Sequence, residues 1–439
     1  MKKLPTSLSK ASRLHELILD GCVGLENVEL ANSSVKSFSF DGSKHVDGAD
    51  KQYVKISKIS LQGCTQLKKL ILCGLPNLVE LDLSGCAIKI LDFGTMVKDV
   101  PRLKRLFLLG CEHLHAIKFE SLGWWNRFQF QGLLLCIDTR PARMLGCTRP
   151  SIAKHEGFEL QSDRHIEIGD GRRNVQSEVE VYSGISLGGV VALCTESLHV
   201  HDVFARIITP AGRFHHLRWC RVERCPNIDA IFPSGALERG NALETIWISD
   251  LLKARCIWSK GHDTLWGVPS YFQSLRHLHL RSCPCLQYAL LVWVSSFPSL
   301  ETLHIIHCGS LRHVFEQDLK HQRSVQFLKL TTIHLRDLPA LQQICESTET
   351  LAPALETIKI RGCWSLRRLP ALKGCEVDMK KPSVEIEKDV WDALEWDGVD
   401  AGHHPCLYET PVHSHYYKQS LLLRGTVLRY AHGAICILY

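Results

Sequence analysis

Apolar residues in this chain fall in one short frame that keeps returning. In LETLHIIHCGSLRHVF (Leu300–Phe315) the inward positions are Leu300, Leu303, Ile305, Cys308, Leu311 and Val314, with polar residues between them. The same frame fits Leu103–Ile117 (LKRLFLLGCEHLHAI), Leu275–Leu290 (LRHLHLRSCPCLQYAL) and Leu355–Leu369 (LETIKIRGCWSLRRL). The central L-x-L alternation has the period of a short β-strand with one face buried. The L-x-x-L spacings on either side are too tight for strand and too irregular for a full helix.

Recurrence at a fixed short period marks a structural repeat. The frame L-x-x-L-x-L-x-x-C-x-x-L predicts an α/β leucine-rich-repeat solenoid: curved, with a parallel sheet on its concave face and loops, 3₁₀ turns and short helices on its convex face. Marking each coil by the second apolar residue of its strand gives Leu17, Phe38, Ile59, Leu81 and Leu106, then Leu135, Ile166 and Leu198 in a degenerate stretch (131–202). The series continues with Cys220, Ile246, Leu278, Leu303, Ile333 and Ile358. That is about 14 irregular coils over residues 1–375, at a mean spacing of about 26 residues. Excursions are expected around Trp124–Gly132, Arg140–Gly157 and Gly169–Cys194. The chain opens already inside a repeat, as expected of the middle of a longer protein, because a terminal coil needs a polar cap. After Pro370 the frame lapses into an extension over 376–439. Its segment Glu376–Asp400 holds nine acidic residues against three lysines, and Trp391 and Trp396 are expected to be buried against the last coil.

Composition changes this picture in one respect. Nineteen cysteines would suggest a disulfide framework in a small secreted protein, but eight of them (Cys22, Cys64, Cys86, Cys111, Cys225, Cys283, Cys308, Cys363) share one slot of the repeat. There an S–H can bond the backbone where the strand turns. Periodic buried thiols predict a reduced, cytoplasmic protein. The net charge of +6 is too mild to indicate nucleic acid. No apolar run reaches membrane-spanning length, and the N-terminus lacks the apolar core of a secretory signal.

Chemistry has to come from what the frame leaves exposed. The residue between the two inward strand positions faces the concave surface: Ile18, Ser39, Ser60, Asp82, Phe107, Cys136, Glu167 and His199, then Arg221, Trp247, His279, His304, His334 and Lys359. Neighbouring positions add Arg276, His277, Arg281, His307, Arg336 and Arg361. These twelve residues from Arg221 to Arg361 form a basic, histidine-rich stripe expected to contact a protein partner, since Arg and Trp concentrate interface energy. His279, His304 and His334 invite a metal test, but their coils are unequally spaced and no carboxylate supports them, so no metal is assigned. No G-x-S-x-G, H-E-x-x-H or phosphate-loop motif occurs, so neither an enzyme nor a nucleotide cofactor is expected.

The irregular frames with CPNI (Cys225–Ile228), GLPNL (Gly74–Leu78) and LETI (Leu243–Ile246, Leu355–Ile358) resemble the C-terminal repeats of plant nucleotide-binding, leucine-rich-repeat disease resistance proteins. The coiled-coil class of grasses is the nearest in kind. The tail Glu387-Lys-Asp-Val-Trp391-Asp-Ala-Leu-Glu-Trp396-Asp-Gly398, with His403-His-Pro405 and His415-Tyr-Tyr-Lys418, is similar to the extension of that group. The resemblance implies a non-catalytic recognition module of innate immunity that senses a pathogen effector or guarded host protein and restrains a nucleotide-binding domain in cis or in trans. Asp82 and Phe107 would then lie on the restraining side and Arg221 to Arg361 on the sensing side. The alternatives are an F-box-type repeat receptor of a ubiquitin ligase and a truncated receptor fragment without function.

Overall fold

The computed structural model describes residues 2–5, 8, 11, 13–31, 55–118, 134–140, 164–169, 195–204, 214–232, 242–258, 272–292, 297–317, 324–345, 349–372, 381–409 and 411–413. The chain divides into two compact units, Met1–His199 and Val200–Tyr439. Phe38, Ser39, the excursion around Trp124–Gly132, most of the other two excursions and the segment 414–439 lie outside the described residues.

The frame behaves as its pattern requires. Leu300, Leu303, Ile305, Cys308, Leu311 and Val314 are all 0% exposed. Each such leucine is worth roughly 1.5–3 kcal/mol of burial. The fold is a leucine-rich-repeat solenoid of short parallel strands. In the first unit Glu16–Ile18, Lys58–Ser60, Glu80–Asp82, Arg105–Leu109, Leu134–Asp138 and His165–Gly169 pair side by side in that order. In the second unit the order is Trp219–Glu223, Thr245–Ser249, His277–Arg281, Thr302–Ile306, Thr332–Arg336, Thr357–Arg361, Ser383–Ile386 and Val412–His413.

Two features of this pairing stand out. Leu17 pairs directly with Ile59, and the Phe38 marker between them lies outside the described residues. The sheet also continues beyond the repeat frame, because Val384 pairs with Ile358 and Glu385 with Lys359. Ser383–Ile386 has the in-out alternation of a strand (Val384 and Ile386 buried) although the leucines of the frame are missing.

The side opposite the sheet differs from expectation too. Instead of short helices, its described parts are further short parallel strands: Asn27–Ala31 with Lys69–Cys73 and Val97–Lys98, Ile90–Asp92 with Ala116–Lys118, Ala230–Phe232 with Cys256–Trp258, Leu290–Val292 with His313–Gln317 and Gln343–Cys345, and Ser324–Gln326 with Glu349–Leu351. Val314 of the frame is therefore again β, in the strand His313–Gln317, while Leu311 packs inward from the turn before it. The described residues include one short α-helix, Lys388–Asp392, and one 3₁₀ turn, Pro405–Leu407.

Between strand and thiol the backbone enters the left-handed region. The first unit uses Gly21, Gly63, Gly85 and Gly110 there, with φ of 69–73°. A Cβ on Gly85 would approach the Cα of Gly63 at 3.4 Å, so glycine lets the coils stack closely. In the second unit the same place is taken by Arg224, Ser282, His307 and Asp337 (φ 52–57°), then by Gly362. The thiols that follow are free, and seven of the eight in the slot are buried. Their S–H groups reach backbone carbonyls, as in Cys86 to Leu61 (3.2 Å), Cys111 to Leu83 (3.2 Å) and Cys363 to Arg361 (3.4 Å).

A spine of phenylalanines fills the second unit under the turns. Phe272, Phe297, Phe315 and Phe327 are at most 1% exposed, and Phe297 lies 4.7 Å from Phe315 and 6.3 Å from Phe327 between ring centroids. The tail docks on the last coil through Tyr408, whose hydroxyl donates to the carbonyl of Pro370 (2.8 Å), and through Arg368 with Asp397. Trp391 and Trp396 are half-buried rather than buried. They rest on one another (5.3 Å) and on Tyr408, a cluster that lies over the coil instead of inside it.

Candidate functional site: the open face of the sheet in the second unit

Strand register sets the site. Arg221, Trp247, His279, His304, His334, Lys359 and Glu385 pair in one unbroken row across seven strands, each flanked in its own strand by two inward apolar residues. Trp219, Thr245, His277, Thr302, Thr332 and Thr357 form the row before it; Glu223, Ser249, Arg281, Ile306, Arg336 and Arg361 form the row after it.

The central row is a column of stacked rings. Trp247 and His279 lie 4.8 Å apart with planes 17° apart, and His304 and His334 lie 4.5 Å apart at 18°. His279 meets His304 edge-on at 5.4 Å. The Arg221 guanidinium lies 5.4 Å above the Trp247 ring, within cation–π range. These rings are half-buried, and burial favours the uncharged imidazole. It pushes His279 down to about 4, aided by the neighbouring charges of His304 and His277. His304 and His334 are lowered chiefly by burial, and so is His277, whose Nδ1 lies 2.8 Å from the Thr302 hydroxyl. His304 and His334 face each other as plates, which is stacking geometry rather than nitrogens converging on a shared ion.

The basic stripe is much less basic than its sequence. Arg221 makes two bonds to Glu223 (3.0 and 2.7 Å), Arg276 pairs with Glu301 (2.8 Å), Arg336 with Asp337 (3.3 Å) and Arg361 with Glu385 (2.7 Å). His307 stands in the left-handed turn and not in the strand, with Nδ1 at 3.2 Å from Asp337. Among the described residues Arg281 and Lys359 are the exposed cations of the stripe with no ion pair. Glu301 is held below the usual carboxylate range by its bond to Arg276.

The acidic partners were legible at an offset that the central row hides. One residue ahead of each strand stand Arg218, Glu244, Arg276 and Glu301, and this row alternates in sign, with Arg218 2.7 Å from Glu244. In the first unit the corresponding central row is closed off: Ser60, Asp82, Phe107 and Cys136 are at most 8% exposed. Asp82 spends its carboxylate on the Ser84 amide (2.9 Å) and Phe107 pairs between Asp82 and Cys136. Neither side chain is presented to solvent as the sequence suggested. Ile18 is 54% exposed.

Residues 252–373 match the leucine-rich repeats of RPS2-like plant disease resistance proteins. Among curated relatives, the Putative disease resistance protein At4g19050 of Arabidopsis thaliana is 24% identical over 83% of this chain and 27% of its own length. The Disease resistance protein At4g27190 of the same plant is 35% identical over 24% of this chain and 10% of its own, and the Disease resistance protein SUMM2 is 25% identical over 29% and 14%. The chain thus spans about a quarter or less of these relatives. Its similarity is to the repeat region of plant disease resistance proteins. No helix among the described residues is long and apolar enough to cross a membrane.

Proposed function

We propose that this chain is the recognition region of an intracellular immune receptor of the nucleotide-binding, coiled-coil plant class, and that it binds protein rather than catalysing a reaction. The reading rests above all on the half-exposed ring column Trp247, His279, His304 and His334, bordered by Arg281 and Lys359, whose three histidines and two cations fall in the segment that matches disease resistance repeats. A row of flat side chains on a stiff sheet loses little rotamer entropy on binding, and aromatic rings beside unpaired cations are favoured anchors. The partner is a pathogen effector or a host protein under guard. The first unit, whose central row is closed off, takes the restraining role toward a nucleotide-binding domain in cis or in trans. Free thiols throughout the described core support a cytoplasmic setting.

The reading is tested by reversing the two unpaired cations together (Arg281→Glu with Lys359→Glu). A partner found by proximity labelling in plant tissue and confirmed with purified components should bind about tenfold or more weakly, as expected for interface charges. Reversal of Lys89 and Lys118 in the first unit should leave that binding intact. Equal binding by both double variants would remove this face as the sensor.

A further inference from the structure

The ring column has a property that does not depend on what it binds. Three imidazoles stand in consecutive strands about one strand spacing apart, with His304 between His279 (5.4 Å) and His334 (4.5 Å), and His277 lies 6.4 Å from His279 on the same strand. Face-to-face and edge-on packing at these distances suits neutral rings. Protonating two neighbours sets like charges side by side on a half-buried surface, where screening is weak. His304 Nε2 is buried with no hydrogen-bond partner among the described residues, so a proton added there has no acceptor waiting.

We propose that the histidine column of the second unit is an acid-sensitive latch: closed by stacking while its rings are neutral, and opened by mutual repulsion when the surroundings acidify. The groups facing it grade its response along the sheet. On the strand of His279, His277 has Glu301 and Glu244 nearby, offset by Arg276. At the far end of the column His334 has Glu385, opposed by Lys359, Arg336 and His304. Across the Trp247 ring Arg221 adds a cation that Glu223 holds, and Arg281 closes the strand of His279. His279, at the Trp247 end, has the like-charging His277 and His304 beside it. Charging therefore begins at His277 and His334, where carboxylates can share the load, and reaches His279 last. All four imidazoles are lowered from an ordinary value of 6.5, so the unfolded chain takes up protons before the folded one. Stability is complete above pH 6.5 and drains as pH falls from there toward about 4, where His279 finally charges.

The test compares the full chain with a variant carrying His279→Phe, His304→Phe and His334→Phe, which keeps flat rings but cannot take up protons. Between pH 7.5 and 5.0 the melting temperature of the unaltered chain should fall by about 5 °C more than that of the variant. Equal falls would overturn the proposal. Should the variant fail to fold, imidazole NMR of the unaltered chain decides. Three or more histidines titrating below the ordinary 6.5, with ring shifts moving together, support the latch, and independent titration of these rings near 6.5 overturns it. Neither measurement needs a binding partner, so failure here leaves the recognition reading untouched, and the reverse also holds.

Discussion

Gly362 leaves its strand with φ of +66°, and a Cβ placed there would sit 2.7 Å from Asp337 Oδ1 and 3.2 Å from the Asp337 Cα. Both the dihedral and the crowding oppose a side chain. Gly362→Ala should cost about 1–3 kcal/mol in a denaturant titration. Gly309 has open space around its would-be Cβ and no left-handed φ, so Gly309→Ala should change stability by about 0.5 kcal/mol or less. At this scale the sequence was a good guide wherever burial alone decides. Leu303, Ile305 and Cys308 were assigned inward from alternation, and they are inward. It misled wherever a side chain's fate depends on a partner 20 to 30 residues away. His307 read as a stripe position beside the strand, yet it stands exposed in a left-handed turn with Asp337 as its partner. Arg276 read as a free cation, yet Glu301 holds it with two bonds.

The phenylalanine spine sets the cohesion of the elements in the second unit. Phe272 and Phe297 both adopt φ of 60°, an unusual state for an aromatic residue that costs on the order of 1–2 kcal/mol each. Burial outweighs that cost. Phe297 touches Phe272, Phe315 and Phe327, which belong to three different coils. Phe297→Ala should therefore lower unfolding free energy by about 3–5 kcal/mol, read from the midpoint of guanidinium unfolding at unchanged slope. The spine was not apparent in the sequence because three of its members stand three residues before a leucine, in Phe272-Gln-Ser-Leu275, Phe297-Pro-Ser-Leu300 and Phe327-Leu-Lys-Leu330, outside the positions that define the frame. The strands opposite the sheet were missed for a related reason. Three-residue pairs such as Ile90–Asp92 with Ala116–Lys118 owe their form to the neighbouring coil, which local propensity does not register.

On the scale of the molecule, the repeat makes the distribution of thiol chemistry predictable. Cys86, Cys136 and Cys363 are pushed far above the ordinary thiol range by burial, and Cys111, Cys220 and Cys225 are pushed up to about 12 by the same cause. Cys285 and Cys406 are exposed. Iodoacetamide at pH 7.5 should accordingly label Cys285 and Cys406 on the native chain and reach the six buried thiols only after denaturant is added, as peptide mass spectrometry would record. Early labelling of Cys111 or Cys225 would mean that the coils open locally. The fold class could be read from the first few frames because a solenoid writes its core into every repeat. The character of the face could not, since neutralisation of the arginines is a relation between coils and no single coil contains it.

The left-handed turns of the second unit have a last consequence. Where the first unit has glycine, Asp202, Arg224, Asp250, Ser282, His307 and Asp337 keep side chains in a backbone state that glycine would occupy at lower cost. They are displayed one per coil from a turn that cannot swivel. Such a row is a bank of interchangeable letters: any one can be rewritten without disturbing the alternation that builds the core. Replacing Ser282 by glycine would firm the coil and blank its letter, so diversity along this edge is kept at the expense of rigidity.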